Sequence, residues 1–171
     1  MFFRKQLIGI AGAIAAAITL WFVWQFRAAF ASHLPVADTV QDRLAFMLTW
    51  LLLPGLSLLI GVQGAARRGF YEDAIDGTRT PQSPALEINL RYNTNTVEQG
   101  LLAAIAWAGL ALKLPFDMLS IIPVMAVVFF VGRIAFFAGY LIYPIARAYG
   151  MVLTALPTLI AYVWLVVKLL D

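Results

Sequence analysis

Long uncharged stretches, broken by short polar connections, dominate the 171-residue chain. A helix rises about 1.5 Å per residue, so about 20 apolar residues cross the hydrocarbon core of a bilayer, which is about 30 Å thick. Three stretches of this length carry no charge, and two more are interrupted by charged residues. The pattern predicts five transmembrane helices, at 6–26, 44–66, 86–112, 116–142 and 148–167.

The composition indicates the same class. Hydrophobic residues make up 63% of the chain, charged residues 12%, and the mean hydropathy is +0.87. These values argue against a soluble enzyme, a nucleic-acid-binding protein and a disordered chain, because a water-soluble protein is about a quarter charged. The chain has no cysteine, and its one histidine, His33, cannot form a metal cluster. We therefore expect an all-α integral membrane protein with no metal site and no nucleic-acid partner.

The first hydrophobic stretch allows two interpretations. A basic start at residues 2–5 and small residues at 29–31 resemble a signal peptide with its cleavage site. The apolar region is about 20 residues long, however, and that of a signal peptide is usually about 7–15. The length favours a retained anchor helix at 1–31, followed by a four-helix membrane domain at 44–170.

The distribution of basic residues predicts an orientation. Five spans place the two termini on opposite sides of the membrane. The side that holds the N-terminus collects eight basic residues, Arg4, Lys5, Arg67, Arg68, Arg79, Arg91, Arg133 and Arg147, against four on the other side. Because cytoplasmic loops are enriched in Lys and Arg, we expect the N-terminus on the cytoplasmic side.

Charged and polar residues mark one face of the third predicted helix. Glu87, Arg91, Asn95 and Glu98 lie within about 80° of arc on a helix. Only 14 uncharged residues separate Glu98 from Lys113, a length of about 21 Å. Glu98 is therefore expected several ångströms inside the hydrocarbon region.

Arg133 is expected at the same depth on the fourth predicted helix. Fifteen uncharged residues, about 22 Å of helix, separate it from Asp117. Each charge within the membrane costs roughly 2.5–3.5 kcal/mol, which predicts an ion pair between Glu98 and Arg133. The pair could serve only to hold helices together. The surplus of arginines near the same mouth instead favours an anionic ligand.

Arg133, Tyr140 and Arg147 recur at seven-residue intervals and would drift only about 20° per step around a helix. Pro144 should break that helix, so that Arg147 opens the last helix, where the helix dipole favours anions. Tyr140 could equally lie in the aromatic belt at the membrane surface.

Three local patterns resemble the MAPEG family, the membrane-associated proteins of eicosanoid and glutathione metabolism. They are Ala66-Arg67-Arg68-Gly69-Phe70, then Glu87-x-x-x-Arg91-x-x-x-Asn95-x-x-Glu98, then Arg133-x-x-Phe136-x-x-Gly139-Tyr140 followed by Arg147. The resemblance covers about residues 44–170. It implies a MAPEG-like four-helix bundle, with 6–26 as an additional N-terminal transmembrane helix.

The resemblance also implies a homotrimer that binds glutathione as a co-substrate between adjacent subunits, near the cytoplasmic face. Arg147 would face the glutathione sulfur, and Arg68 would assist the acceptor substrate. The residues that would hold the tripeptide are Arg67, Arg91, Asn93, Asn95, Glu98 and Tyr140, and Arg133 is counted with them.

Two functions follow from the resemblance. The leading hypothesis is a membrane-bound glutathione transferase or peroxidase, in which the thiolate attacks lipophilic electrophiles or lipid hydroperoxides. The alternative is a non-catalytic lipid-binding or scaffold protein on the same fold. Phe136 stands where much of the family has a tyrosine, so one hydroxyl is missing.

Overall fold

The computed structural model describes residues 2–77 and 82–170, where the regular structure is helical throughout. Its α-helices are α1 (Phe2–Gln25), α2 (Val40–Trp50), α3 (Leu52–Ala66), α4 (Pro84–Lys113), α5 (Ile121–Ile142) and α6 (Ala148–Leu170). Short 3₁₀ segments lie at Arg27–His33, Arg67–Phe70 and Phe116–Ser120. The predicted all-α membrane fold is confirmed.

The helices α2 and α3 form one kinked rod. Only Leu51 separates them, and its backbone angles, φ −65° and ψ −13°, remain helical. Pro54 explains the kink, because it has no N–H to donate to the carbonyl of Trp50 and its ring crowds that carbonyl. The rod corresponds to the span predicted at 44–66.

Hydrogen bonds at both ends of α4 fix the direction of the rods. Where α4 ends, Nη1 of Arg43 donates to the carbonyls of Ala111 and Leu114, 2.9 and 2.7 Å away. Where α4 begins, Nη2 of Arg67 donates to the carbonyl of Ala85 at 2.8 Å. The start of α2 therefore meets the end of α4, and the end of α3 meets its start. α4 thus runs antiparallel to the α2–α3 rod along its whole length.

Within the part of the chain that the structure describes, four segments are long and apolar enough to cross a membrane: Lys5–Gln25, Val40–Phe70, Phe116–Ile142 and Ala148–Leu170. The 30 residues of α4 extend about 45 Å, but this helix is more polar than the four segments. The count of five spans stays a prediction, as does the division into residues 1–31 and 44–170. Arg79, which contributes to the predicted orientation, lies outside the described residues.

Glycines allow α5 and α6 to touch backbone to backbone. A Cβ added to Gly150 would lie 2.2 Å from the backbone nitrogen of Phe136 and 2.4 Å from the carbonyl oxygen of Gly132. A Cβ at Gly139 would lie 2.8 Å from the carbonyl carbon and oxygen of Ala146. Small residues permit such close approach in membrane helices. They fix the position of the connection between α5 and α6.

The first helix packs on α6. A Cβ at Gly12 would lie 3.3 Å from the backbone nitrogen of Tyr149, and one at Gly9 would lie 3.6 Å from the side chain of Ile145. Thr19 and Tyr149 share a hydrogen bond of 3.1 Å between their hydroxyls. The glycine-rich sequence of α1 thus has its packing partner at the start of α6.

We expect Gly150→Ala to destabilise the protein, because the added methyl group would overlap backbone atoms that can move only if the helices separate. Overpacking of this kind typically costs about 1–3 kcal/mol. Gly55→Ala is the matched control, since a Cβ at Gly55 has no neighbour within 4 Å. Alanine is favoured over glycine within a helix by up to about 1 kcal/mol. Thermal unfolding in detergent should show a lower Tm for Gly150→Ala only. Equal midpoints for the two variants would contradict the described packing.

Candidate functional site

An open cleft of about 470 Å³ lies between α4, α5 and α6, toward the end of the molecule where α4 begins. Five of the predicted site residues line it: Arg91, Asn95, Glu98, Tyr140 and Arg147. Leu90, Thr94, Phe136 and Met151 complete the wall. The cleft therefore combines two arginines, one carboxylate and an amide with apolar and aromatic surface.

The start of α4 supplies the first charged group of the cleft. Oγ of Ser83 accepts a hydrogen bond from the backbone N–H of Leu86 and caps the helix, and Pro84 occupies its first turn. Glu87, in the same turn, forms an ion pair with Arg91, with Nη2 and Nε at 2.6 and 3.0 Å from Oε1. This pair holds the exposed Arg91 guanidinium against its helix on the cleft wall.

Arg133 of α5 lies behind the cleft wall and is fully buried. Its Nη1 donates a hydrogen bond to Oδ1 of Asn95 at 3.0 Å. Its guanidinium carbon lies 4.2 Å from the ring centroid of Phe136 and 5.3 Å from that of Tyr92. Among the described residues, Nε and Nη2 have no hydrogen-bond partner. One amide oxygen and two aromatic faces therefore stabilise this buried charge.

The predicted ion pair between Glu98 and Arg133 is wrong. Across 2–77 and 82–170, neither residue forms an ion pair, because Arg133 binds Asn95 instead. Glu98 is exposed and lines the cleft one turn further along α4. The length of helix predicts a similar depth for the two charges. Helix length alone does not predict whether Asn95 or Glu98, one turn apart on α4, contacts Arg133 of α5.

The contact with Arg133 also fixes the orientation of the Asn95 amide. A guanidinium only donates hydrogen bonds, so the side-chain oxygen of Asn95 must face it. The Nδ2 amino group is left for the cleft that Asn95 lines. A buried cation behind the wall thereby turns a neutral side chain into a donor of hydrogen bonds to the cleft.

The connection between α5 and α6 supplies Arg147. Helix α5 ends before Tyr143, whose extended backbone is typical of a residue that precedes proline. As predicted, Pro144 thus follows a helix end, and Arg147 stands immediately before α6. Its guanidinium carbon lies 4.5 Å from the ring centroid of Tyr140. The first turn of α6 adds the positive end of a helix dipole to this side of the cleft.

Three predicted site residues lie elsewhere in the chain. Asn93 lies on the side of α4 that faces α3, where its Oδ1 is close to Gly61. Arg67 bonds the carbonyl of Ala85, and Nε of Arg68 donates to the carbonyl of Ala74 at 2.9 Å. The predicted residues therefore form two groups: those at the cleft, with Arg133 behind it, and those at the α3–α4 side. We call the second group, Arg67, Arg68 and Asn93, the α3–α4 group.

The cleft also contains residues that the sequence prediction omits. Leu90 and Thr94 lie beside Arg91 and Asn95 on the same face of α4, and Met151 follows Arg147 by one helical turn. Helical periodicity extended from the charged residues would have identified all three. These residues add apolar surface to the cleft, which a search for charged residues in the sequence does not detect.

The profile of the MAPEG family matches residues 43–167, about three quarters of the chain. The chain belongs to the MAPEG family. The match begins with α2 and includes every residue of the cleft, while α1 lies outside it. No curated protein and no solved structure matches the chain. Membership supports a membrane protein of the type found in glutathione and eicosanoid metabolism.

We expect Asn95→Leu to destabilise the protein, because it leaves the buried Arg133 without its hydrogen-bond acceptor. Loss of a hydrogen bond to a charged group costs about 1.5–3 kcal/mol. Asn95→Asp should keep the acceptor and retain stability, and Thr94→Val serves as a control on the exposed cleft wall. Thermal unfolding in detergent separates these variants. A Tm for Asn95→Leu equal to that of Thr94→Val would show that the contact contributes nothing.

Proposed function

We propose that the protein is a membrane-bound glutathione transferase or peroxidase that activates the glutathione thiol for reaction with lipophilic substrates. The observation that carries the proposal is the position of Arg147, stacked on Tyr140 at the edge of a cleft that Arg91, Asn95 and Glu98 also line. Membership of the MAPEG family supplies the chemical class of the ligand.

The cleft suits a tripeptide with two carboxylates and one amine. Its volume of about 470 Å³ lies within the range of about 300–1,000 Å³ that is usual for small-molecule sites. Arg91 and the amide of Asn95 would bind carboxylate and carbonyl oxygens, and Glu98 would bind the ammonium group. The failure of Glu98 to pair with Arg133 supports this assignment, because its carboxylate remains available at the cleft.

The two groups of residues on α4 support a site shared between subunits of a homotrimer. In a ring of identical subunits, one face of each subunit meets a different face of the next. The α3–α4 group of one subunit would then approach the cleft of its neighbour. Arg67 belongs to that group and binds the carbonyl of Ala85 at the start of α4 through Nη2. Arg68, in the same group, would assist the acceptor substrate.

A single arginine is sufficient to activate the thiol. A cysteine thiol has a pKa of about 8.5, and lowering it by two units requires about 2.7 kcal/mol. A charge about 4 Å from the sulfur contributes about 4 kcal/mol at an effective dielectric constant near 20. Arg147 is exposed at the cleft. Because arginine is a poor proton donor and acceptor in proteins, this side chain would stabilise the thiolate without exchanging protons itself.

The thiolate would then act as the nucleophile. With an electrophilic substrate it forms a carbon–sulfur bond and displaces a leaving group or adds to the substrate. With a hydroperoxide it attacks the terminal oxygen, the O–O bond breaks, and the departing alkoxide takes a proton from water and leaves as an alcohol. The resulting sulfenic acid reacts with a second glutathione thiol to give a disulfide and water. Neither route needs a nucleophile from the chain, which contains no cysteine.

The proposed site opens at the end of the molecule where α4 begins. Arg67, Arg68, Arg91 and Arg147 lie toward that end. We therefore propose that the N-terminus and the mouth of the cleft face the cytoplasm. A lipophilic acceptor would arrive from the bilayer and glutathione from the aqueous side.

We expect Arg147→Ala to bind glutathione with little change but to lose the ultraviolet absorbance of the thiolate and the transferase activity. Arg147→Lys should restore part of both, because it keeps a positive charge. Lys113→Ala removes an exposed cation at the opposite end of α4 and should change neither. Calorimetry, thiolate difference spectra and turnover with an aryl halide or lipid hydroperoxide provide the measurements.

Unchanged turnover in Arg147→Ala would refute the assigned role. Glutathione binding without any thiolate signal in the unmodified protein would favour the alternative function, a non-catalytic binding or scaffold protein on the same fold.

Co-expression of two inactive variants tests whether the site is shared. Arg147→Ala and Arg67→Ala each remove one half of the proposed site. In mixed trimers, some interfaces pair an intact Arg147 with an intact Arg67 of the neighbour. Random assembly from equal amounts should therefore restore about a quarter of the original activity. Mixing the proteins after separate purification, without subunit exchange, is the control. No recovery on co-expression would show that each site lies within one subunit.

A further inference from the structure

A second cavity lies between α1 and the helices α4, α5 and α6, toward the end of the molecule where α4 ends. Its volume is about 430 Å³, close to that of the cleft, but its lining consists entirely of apolar residues. Trp21 and Trp24 of α1, Trp164 of α6, Leu114 and Met125 are among the residues that line it. The two cavities therefore occupy opposite halves of the molecule.

One side of this cavity is formed by α1. At its beginning α1 approaches α6 closely, because Gly9 and Gly12 have no side chains to separate the helices. Further along, the bulky side chains of Trp21 and Trp24 replace the glycines. The far half of α1 still contacts the bundle, because Ala16 clusters with Val124 and Val128 of α5, and Leu20 and Val23 pack against that cluster. The cavity lies beside this contact, with the tryptophans of α1 on one side and the helices α4, α5 and α6 on the other.

The surroundings and size of the cavity identify an occupant. An apolar cavity of about 150 Å³ stays dry and binds benzene, which has six non-hydrogen atoms. In proportion, about 430 Å³ accommodates a ligand of about 17 non-hydrogen atoms, the size of one long unbranched acyl chain. Within a membrane, acyl chains rather than water molecules are available to occupy such a cavity.

A cation beside the cavity, Arg27, indicates that the polar end of this ligand is anionic. The guanidinium carbon of Arg27 lies 5.0 Å from the ring centroid of Trp24, a wall residue of the cavity. Nη1 of Arg27 donates only to the carbonyl of Trp24, and no carboxylate pairs with Arg27 in the part of the chain that the structure describes. Lys113 and Asp117, both exposed near the same end, offset each other in charge. Arg27 is thus a cation beside the cavity wall that forms no ion pair with a carboxylate of the described residues.

We propose that this cavity binds a long-chain fatty acid, with its alkyl chain between α1 and the bundle and its carboxylate at Arg27. The site is separate from the thiol cleft and does not depend on the function proposed for that cleft. Because α1 lies outside the residues that match the MAPEG family, the site is a property of this chain's additional helix. The tryptophans in its wall provide a direct readout.

Fluorescence quenching tests the proposal. The full-length protein in phosphatidylcholine nanodiscs is titrated with a dibrominated stearic acid, whose bromine atoms quench nearby tryptophans. We expect saturable quenching with one fatty acid per chain. Ala17→Phe, which fills the cavity from α1, should weaken binding at least about tenfold, a free-energy change of about 1.4 kcal/mol. Ala15→Phe adds the same bulk at an exposed position of the same helix outside the cavity lining and should bind normally.

A second pair of measurements examines the carboxylate. Arg27→Gln should weaken binding of the brominated acid severalfold but leave binding of the corresponding alcohol unchanged. Brominated phosphatidylcholine distinguishes a bound fatty acid from ordinary surrounding lipid. Non-saturable quenching that is equal for the phospholipid and the fatty acid, or equal affinities in Ala17→Phe and Ala15→Phe, would overturn the proposal. Matched Tm values verify that the variants are folded.

Discussion

A fully buried guanidinium, that of Arg133, imposes the main constraint on this bundle. Removing a charge from water costs several kcal/mol unless hydrogen bonds and nearby groups compensate. Here the compensation comes from the oxygen of Asn95 at 3.0 Å and from the ring faces of Phe136 and Tyr92. These contacts join α4 to α5 in one register. A slip by one turn would carry the Asn95 oxygen out of reach of the buried charge.

The same constraint shapes the cleft. Because Arg133 takes the oxygen of Asn95, the amide presents N–H donors to the cleft. Glu98 forms no ion pair with Arg133 or with any other cation of the described residues, so its carboxylate remains on the wall of the cleft. Phe136 then lies between the buried guanidinium and Tyr140, whose ring centroid is 5.9 Å away. Tyr140 in turn supports Arg147.

Much of this arrangement can be predicted from the sequence, through the lengths of the helices, the spacing of polar residues and the positions of prolines. The shared face of Arg91, Asn95 and Glu98 follows from helical periodicity, and Pro144 correctly predicts the break before Arg147. The rotation of each helix about its own axis relative to its neighbours does not follow from helix length, polar spacing or proline positions. The choice of Asn95 over Glu98 as partner of Arg133 depends on how α4 and α5 rotate against each other.

Rotation also explains why the α3–α4 group could not be placed from the sequence. Asn93 differs from Asn95 by only two positions, which on a helix is about 200° of rotation. Motif spacing treats the two as one set, whereas in the structure one faces α3 and the other faces the cleft. A similar ambiguity affects α1, whose apolar residues surround the helix and give no preferred face. Its glycines meet the start of α6, Ala16 and Leu20 pack with residues of α5 and α6, and its tryptophans form part of the wall of the apolar cavity. Side-chain size along α1, rather than polarity, thus determines where this helix packs closely and where it borders a cavity.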